Sequence, residues 1–413
     1  MPHLAICGGH PVRTEPYPNW PQVFEEDKEA LLRVLESRYW GLQSKTIHEF
    51  ETRFAAYCGA KHAVSCTNGT DAIMIALKAM GIGPGDEVII PAYTFIATAA
   101  AVLLANAIPV MADIDPLTYN ICPDSVCRLI TPRTKALIPV HIAGNPADMT
   151  SMLAIAKEHG LRVLEDAAQA HGAIWNGKMA GTIGCAGTYS FQSSKNLSCG
   201  EGGAIVTNHD DLAVRLRTFV NCGRKPEVTH ASYVEFHEAT GNHRLGAFQA
   251  SLLLSGLSRL EEQTEHRIAN AEYLRRLLVP IEGVEMLGHY PETERQVFHL
   301  CIMKYNARAF QGLPRDRFIE AMQKEGIPCS SGYQPMYTYA IFQDFENRVP
   351  TFPALYKDRV NFKTVHCPEC ERICAEEAVW FFQRMLLGTR KDMEDIATAI
   401  QKIQTNAEEA VGS

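Results

Sequence analysis

The chain has 413 residues, 46% hydrophobic and 21% charged, and a formal net charge of −8. That length suggests two or three domains with a sizeable buried core, and the composition is that of an ordinary soluble enzyme. The acidic balance and the lack of a Lys/Arg-rich block give no reason to expect nucleic-acid binding, and no apolar run approaches the ~20 residues that span a bilayer.

Residues 1–20 carry Pro2, Pro11, Pro16 and Pro18 and read as an extended arm. Helical spacing of Leu31, Leu32, Val34 and Leu35 predicts a helix over 25–37, and 47–57 reads as a second. Short apolar runs then alternate with helical patterns. Strands are predicted at 63–65, 87–90, 109–112, 136–140, 162–164 and 187–190, and helices at 70–80, 94–106 and 149–159. Residues 97–107 are too short to span a membrane and read as a buried helix. This rhythm predicts an α/β fold, a mainly parallel sheet with helices on both faces. A late strand fits 204–207, and a helix over 210–219 breaks near 223–226. Residues 244–278 predict one long helix with an apolar face at Leu252, Leu253, Leu254, Leu257 and Leu260. Beyond Val279 the texture becomes α+β, with a strand at 297–304, a helix at 315–325, the run 327–329, and helices at 371–382 and 390–404. The boundary falls near 260–280, dividing the chain into 1–265, arm and large domain, and 266–413, a small C-terminal domain.

The most informative stretch is Ser190-Phe191-Gln192-Ser193-Ser194-Lys195-Asn196-Leu197-Ser198-Cys199-Gly200-Glu201-Gly202-Gly203. A lone lysine between small polar residues and a Gly-rich turn is poor material for ordinary surface. Lys195 can form a Schiff base with a cofactor aldehyde if burial or a neighbouring cation lowers its pKa. Upstream, Val163-Leu164-Glu165-Asp166 puts a carboxylate at the end of an apolar strand, where it would be costly unless paired. An acidic partner for a pyridinium nitrogen and a Schiff-base lysine are the minimal apparatus for pyridoxal 5′-phosphate (PLP). Asn68-Gly69-Thr70 lies between a strand and a helix, where free N–H groups favour a phosphate. Each of these has a plainer reading. Asn68-Gly69 can be a simple cap, Phe95 a core aromatic, Asp166 a helix N-cap, and Lys195 an exposed loop lysine. For His171, a satisfied core histidine weighs as much as a functional one.

Thr67 to Ile73, Pro91 to Thr98, Glu165 to Gly172, Ser190 to Gly203 and Gly241-Asn242-His243-Arg244 occur in one order. In that order they resemble the fold-type I PLP enzymes of the DegT/DnrJ/StrS sugar-aminotransferase family, from Trp20 to about Ile400. The resemblance implies a large domain with a mainly parallel seven-stranded sheet flanked by helices, one strand antiparallel, and a smaller α+β C-terminal domain. It implies a PLP-dependent aminotransferase that takes an amino group from L-glutamate or L-glutamine by a ping-pong mechanism. The acceptor would be a nucleotide-linked keto-sugar or a keto-cyclitol. Lys195 and Asp166 are then catalytic. Gly69, Thr70 and Ser190 hold the PLP phosphate, Phe95 stacks on the ring, and Gln169 lies near the phenolic oxygen. Asn242 reaches the phosphate of the neighbouring subunit, which implies a homodimer with shared active sites. Arg244 is a candidate for a donor carboxylate or for a structural pair. Tyr333 and Tyr337 sit where the family often has a histidine- and proline-containing substrate loop, a departure that leaves the acceptor open. That loop and the run Ala170 to Trp175 lean towards a cyclitol.

A sugar dehydratase of the same fold would replace the lysine with histidine or add cysteines for an iron–sulfur cluster. Lys195 stands against the first. Against the second, Cys367, Cys370 and Cys374 are only three thiols and lack a fourth ligand at a recognisable spacing, so ordinary packing and no metal are expected. A regulatory homologue without chemistry is disfavoured by the intact Asp166 and Lys195, and no helix-turn-helix with a basic face is evident. The thirteen cysteines are an odd, scattered set, and residues 1–20 lack a basic-plus-apolar leader, so a reducing cytoplasm is the expected compartment.

Overall fold

The computed structural model describes residues 3–225, 236–349 and 360–412. Met1 and Pro2 of the expected arm, and Pro226 at the end of the expected break, lie outside the described residues.

The strands in chain order begin with β1 (His62–Cys66), β2 (Glu87–Pro91), β3 (Ile108–Ala112), β4 (Thr134–Leu137) and β5 (Arg162–Asp166). Two short strands follow, β6 (Ile174–Trp175) and β7 (Lys178–Met179), then β8 (Ala186–Ser190) and β9 (Gly203–Thr207). Seven of them form the central sheet in the order β1-β9-β8-β5-β4-β2-β3. Parallel pairs run from β8 through β5, β4 and β2 to β3. Strand β9 is antiparallel to both β8 and β1, so β1 points the same way as β8.

The chain makes this sheet because its strands are apolar on both faces, the pattern of a sheet covered by helices on each side. In β2, Val88 and Ile90 enter the core built with α3 (Gly69–Ala79) and α4 (Ala97–Leu104), the helices that follow α1 (Glu25–Ser37) and α2 (Lys45–Cys58). Ile89, one residue out of phase, enters the opposite core, where α6 (Met149–His159), next after α5 (Pro123–Leu129), supplies Met152 and Ile155. At the β9 end, Ala204 and Val206 pack against Phe50 and Phe54, which come from the helix Lys45–Cys58.

A second, three-stranded antiparallel sheet orders β10 (Val284–Met286), β12 (Leu300–Tyr305) and β13 (Ala378–Phe382), while β11 (Thr293–Arg295) pairs with β6. Alternation again divides the cores. Leu300 and Ile302 face the large sheet's core, whereas Cys301, Met303 and Tyr305 face a separate one. That separate core takes Ala271, Leu274 and Leu278 from the helix Leu260–Leu278, and Ile396 and Ile400 from the closing helix Arg390–Thr405. The arm packs here too, through Leu4 and Tyr17, rather than on the large sheet with which the sequence reading grouped it.

Five predicted elements differ, one of them the strand expected at 136–140, which is Thr134–Leu137. The expected single helix over 244–278 is two helices, Ala247–Leu257 and Leu260–Leu278. Between them, Arg259 gives both oxygens of Asp27 a hydrogen bond, 2.7 and 2.9 Å long, a long-range tie that local periodicity does not report. The expected helix over 371–382 ends in strand β13, whose Val-Trp-Phe-Phe run suits a pleated surface better than a helix. The strand expected at 297–304 begins only at Leu300, because Phe298 is left-handed with φ of 50°. Helix α4 is shorter than the expected 94–106, since residues 93–96 form the turn that enters it. Among the described residues, no helix is long and apolar enough to cross a membrane.

One buried polar knot fixes the end of β5. Glu165 is fully buried and accepts hydrogen bonds from the N–H groups of Gly181, Ile183 and Gly184, each 2.7 Å long. His141 Nδ1 accepts from the N–H of Ala147, so its proton sits on Nε2 and is donated to Glu165 at 3.0 Å. Four donors thus converge on one carboxylate. Glu165→Gln would turn an NH2 towards donors, and we expect a loss of ~3–5 kcal/mol in unfolding free energy. Urea denaturation of the apo-protein would measure it, and a loss under ~1 kcal/mol would contradict a charged anchor.

Candidate active site

The strands β1, β2, β5 and β8 all end at one edge of the central sheet, and β9 begins there. Open α/β sheets bind ligands at that carboxyl edge. Here a cleft of about 840 Å³ opens, closed on the far side by Leu300, Trp380 and Phe382 of the small sheet.

At the end of β1, Asn68 caps α3 by accepting from the N–H of Asp71 at 2.8 Å. The first turn of α3 meets the end of β8 so closely that a Cβ on Gly69 would stand 2.7 Å from the Cβ of Ser190. Only glycine keeps this gap open. Gly69, Thr70 and Ser190 all line the cleft, so free helix N–H groups and two hydroxyls surround one small space. The 241–244 segment sits beside the same turn, since the N–H of Thr67 donates to the carbonyl of His243 at 2.9 Å. Asn242 is nevertheless exposed and Arg244 donates to Asn221 Oδ1 at 2.9 Å, and neither lines the cleft of its own chain.

Asp166 ends β5 and is buried within the cleft. Its Oδ2 accepts from the hydroxyl of Thr98 at 2.8 Å, and Oδ1 from the N–H of Ala168 at 3.2 Å. Thr94 Oγ1, four residues earlier in the turn that enters α4, lies 3.2 Å from Thr98 Oγ1, which extends the chain of hydroxyls. Burial lifts the Asp166 carboxyl above its ordinary pKa, against the pull of Thr98, Ala168 and Lys195.

Lys195 comes from the loop joining β8 to β9 and faces Asp166 across the cleft floor. Burial lowers its pKa to about 8, with the charge of Asp166 acting in the other direction. His299 lines the same wall, and burial, then Lys195, His171 and Arg267, hold its imidazole well below the usual value. His171 is buried between Tyr189 and Phe191, with ring centroids 5.4 and 5.7 Å away, and does not line the cleft. Burial, reinforced by Lys195, pushes its pKa down to about 3, so it is neutral.

Phe95 lies in the cleft with 56% of its surface exposed, a large apolar face open to a ligand. Gln169 is held from behind by the N–H of Ala143, which donates to Oε1 at 2.7 Å, and its Nε2 donates to Tyr333 OH at 3.2 Å. Tyr333 stands edge-on to Trp380 at 4.6 Å, and Trp380 Nε1 donates to Tyr93 OH at 2.9 Å, so this wall is aromatic. Tyr337 is not part of it. It is buried in the core, donates to Glu371 and accepts from the N–H of Cys367 at 3.1 Å. Cys367, Cys370 and Cys374 are buried free thiols, with Cys370 and Cys374 sulfurs 4.0 Å apart.

Eight residues singled out in the sequence therefore share the cleft: Gly69, Thr70, Phe95, Asp166, Gln169, Ser190, Lys195 and Tyr333. Sequence reasoning missed Thr98, Trp20, His299, Trp380, Gln383 and Arg384, which line it as well. Thr98 alone had a signal, its four-residue spacing from Thr94 inside a quoted motif.

A cofactor-sized cleft at the carboxyl edge, a lysine lowered by burial and a buried carboxylate define an enzyme of the aminotransferase class. The chain belongs to the DegT/DnrJ/EryC1/StrS aminotransferase family, whose profile it matches over residues 21–379. It is 38% identical over 414 residues to the L-glutamine:2-deoxy-scyllo-inosose aminotransferase of Streptoalloteichus tenebrarius, covering 97% of each chain. Among solved structures it is similar to 3-amino-5-hydroxybenzoic acid synthase, with 33% identity and a TM-score of 0.82, covering 95% of this chain and 100% of that one. It is also similar to DesV of S. venezuelae, solved in complex with a ketimine intermediate, with 32% identity and a TM-score of 0.79 over 93% and 94% of the two chains.

Proposed function

We propose that this aminotransferase holds PLP in the cleft and moves an amino group from L-glutamine or L-glutamate to a keto-cyclitol, by a ping-pong mechanism. The observation that carries the reading is the convergence of Asp166, Lys195 and the Gly69–Ser190 cradle on one cleft. The residues fit the cofactor. The cradle offers N–H and hydroxyl donors to a phosphate, Phe95 offers an open aromatic face, and Asp166 offers a buried carboxylate for a ring nitrogen.

When bound, PLP supplies an electron sink conjugated to the reacting amine. The protein's own groups do the rest. Asp166, oriented by Thr98 and Ala168, keeps a proton on the ring nitrogen. Lys195 Nζ anchors the cofactor and carries a proton to and from the substrate carbon. Gln169, clamped by Ala143 and Tyr333, presents its amide beside the ring. The keto-cyclitol is favoured over a nucleotide-linked sugar by the aromatic wall of Tyr333 and Trp380 and by the acceptor named for the 38% identical relative.

A homodimer with shared sites in the cytoplasm belongs to the same reading, and exposed apolar residues support the dimer. Val23, Leu32, Leu35, Tyr39, Trp40 and Leu42 are all exposed within one short stretch, and Asn242 is exposed and does not line the cleft of its own chain. The proposed boundary between 1–265 and 266–413 rests on the core that Ala271, Cys301, Met303, Ile396 and Ile400 form around the small sheet, where the arm also docks, while Leu300, Tyr337 and Trp380 cross into the large sheet's core.

The test is a visible absorption spectrum of purified protein, before and after L-glutamine, L-glutamate and then 2-deoxy-scyllo-inosose. We expect a visible band that one donor bleaches and the ketone restores. Protein that stays colourless after added PLP would sink the cofactor reading, and a band indifferent to both donors would sink the donor. Gly69→Ala is expected to weaken PLP binding by ~1–3 kcal/mol through overpacking against Ser190, read from a titration of apo-protein.

A further inference from the structure

Beyond β13 the chain enters the cleft with two residues that the proposed reaction has not used, Gln383 and Arg384. The register Leu300↔Phe382 places Gln383 beside His299, the residue that precedes β12. His299 in turn responds to both Lys195 and Arg267, so this corner adjoins the reacting lysine.

Gln383 is only 4% exposed, and its orientation is not free. Its Oε1 accepts from Arg267 Nε at 2.8 Å, and because a guanidinium can only donate, the oxygen must face inward. The amide NH2 is left on the cleft side, with no protein partner among the described residues. Behind it, Arg267 is fully buried and stacks 5.0 Å from the Trp20 ring centre. Burial lowers its pKa to about 9, still charged at neutral pH, yet no carboxylate among the described residues pairs with it. Arg384 is similarly without an acid. Its Nη1 donates to the carbonyls of Pro18 and Tyr17 at 3.1 and 3.5 Å, which leaves Nε and Nη2 free among the described residues. Two arginines without counter-charges thus flank an amide whose donors face the cleft. Arg267 is a buried charge, costly unless something offsets it, and Arg384, half-buried at the cleft, adds a guanidinium open to an anion.

We propose that Gln383 and Arg384 form the subsite for the carboxylate of the amino-acid donor. The inference rests on the proposed amino-acid donor and adds the group that recognises it. Arg384 supplies charge and N–H donors to the carboxylate, Gln383 adds a neutral N–H, and Arg267 acts from behind as a positioning residue for Gln383.

The test compares two amines in single-turnover bleaching of the holoenzyme, L-glutamine and an aminocyclitol such as scyllo-inosamine, which has an amine and hydroxyls but no carboxylate. Arg384→Gln is expected to cut the apparent second-order rate with L-glutamine by about 100-fold, mostly through a weaker half-saturation concentration. The loss with the aminocyclitol should be at least about tenfold smaller. Gln383→Glu keeps the acceptor for Arg267 and adds a negative charge, so it keeps the fold and should show the same selective loss. Equal losses with both amines, or an undiminished rate with L-glutamine in either variant, would overturn the subsite. Wild-type protein that neither amine bleaches would instead overturn the proposed function.

Discussion

Replacing Lys195 with alanine is expected to lower turnover by about four orders of magnitude or more while leaving PLP bound. The two outcomes separate because they depend on different parts of the cleft. In the proposed site the phosphate would be held by Gly69, Thr70 and Ser190 and the ring would meet Phe95, all of which line the cleft apart from the lysine's role. Rapid-mixing absorbance with L-glutamine would measure the loss, and a small added amine should restore part of it. The lysine also predicts a pH profile. With a pKa of about 8, roughly a quarter of Lys195 is neutral at pH 7.5, against roughly a thousandth for an ordinary lysine. Reconstitution of wild-type apo-protein with PLP should therefore quicken with pH and level off above about 8. A rise that continues beyond pH 10 would show a lysine that burial has not altered.

Asp166→Asn is expected to lower kcat/KM by about 10²–10⁴ and to cost the apo-protein no stability. Burial raises the carboxyl's folded-state pKa above its unfolded value. The unfolded chain therefore ionises more readily, and above the folded-state pKa the charge weighs against folding, a penalty relieved as pH falls through that value. Asparagine removes the charge, keeps an oxygen for the Thr98 hydroxyl, and loses only the longer bond from Ala168. Thermal melts of apo-protein at neutral pH should show a midpoint no lower than wild type, beside a large kinetic defect. Activity within tenfold of wild type would remove Asp166 from the mechanism.

Much of the fold was legible because it is written in short, doubly apolar strands. Val88-Ile89-Ile90 and Ala204-Ile205-Val206 can be satisfied only by a sheet covered on both faces, and both runs are strands in the central sheet. The errors came where distant partners decide. The Asp27–Arg259 pair interrupts what periodicity reads as one helix, and Ala378 to Phe382 joins β12 as a strand. Tyr337 shares a motif with Tyr333, yet four residues along the chain it turns into the core and bonds to Glu371.

By itself the sequence determined the α/β class, the places of most central strands along the chain, and the lysine, carboxylate and glycine turn on which the proposed chemistry rests. Each is a local choice, since a strand end, a cap and a Gly-rich loop are built from neighbours in the chain. Only the tertiary structure decided what faces them. Sheet order brings Ser190 against Gly69, the start of α4 sets Thr98 on Asp166, and the pairing of β12 with β13 sets His299 and Gln383 side by side. The shift of Lys195 to about 8 likewise belongs to the assembled cleft, because it arises from burial that no short stretch of residues can supply.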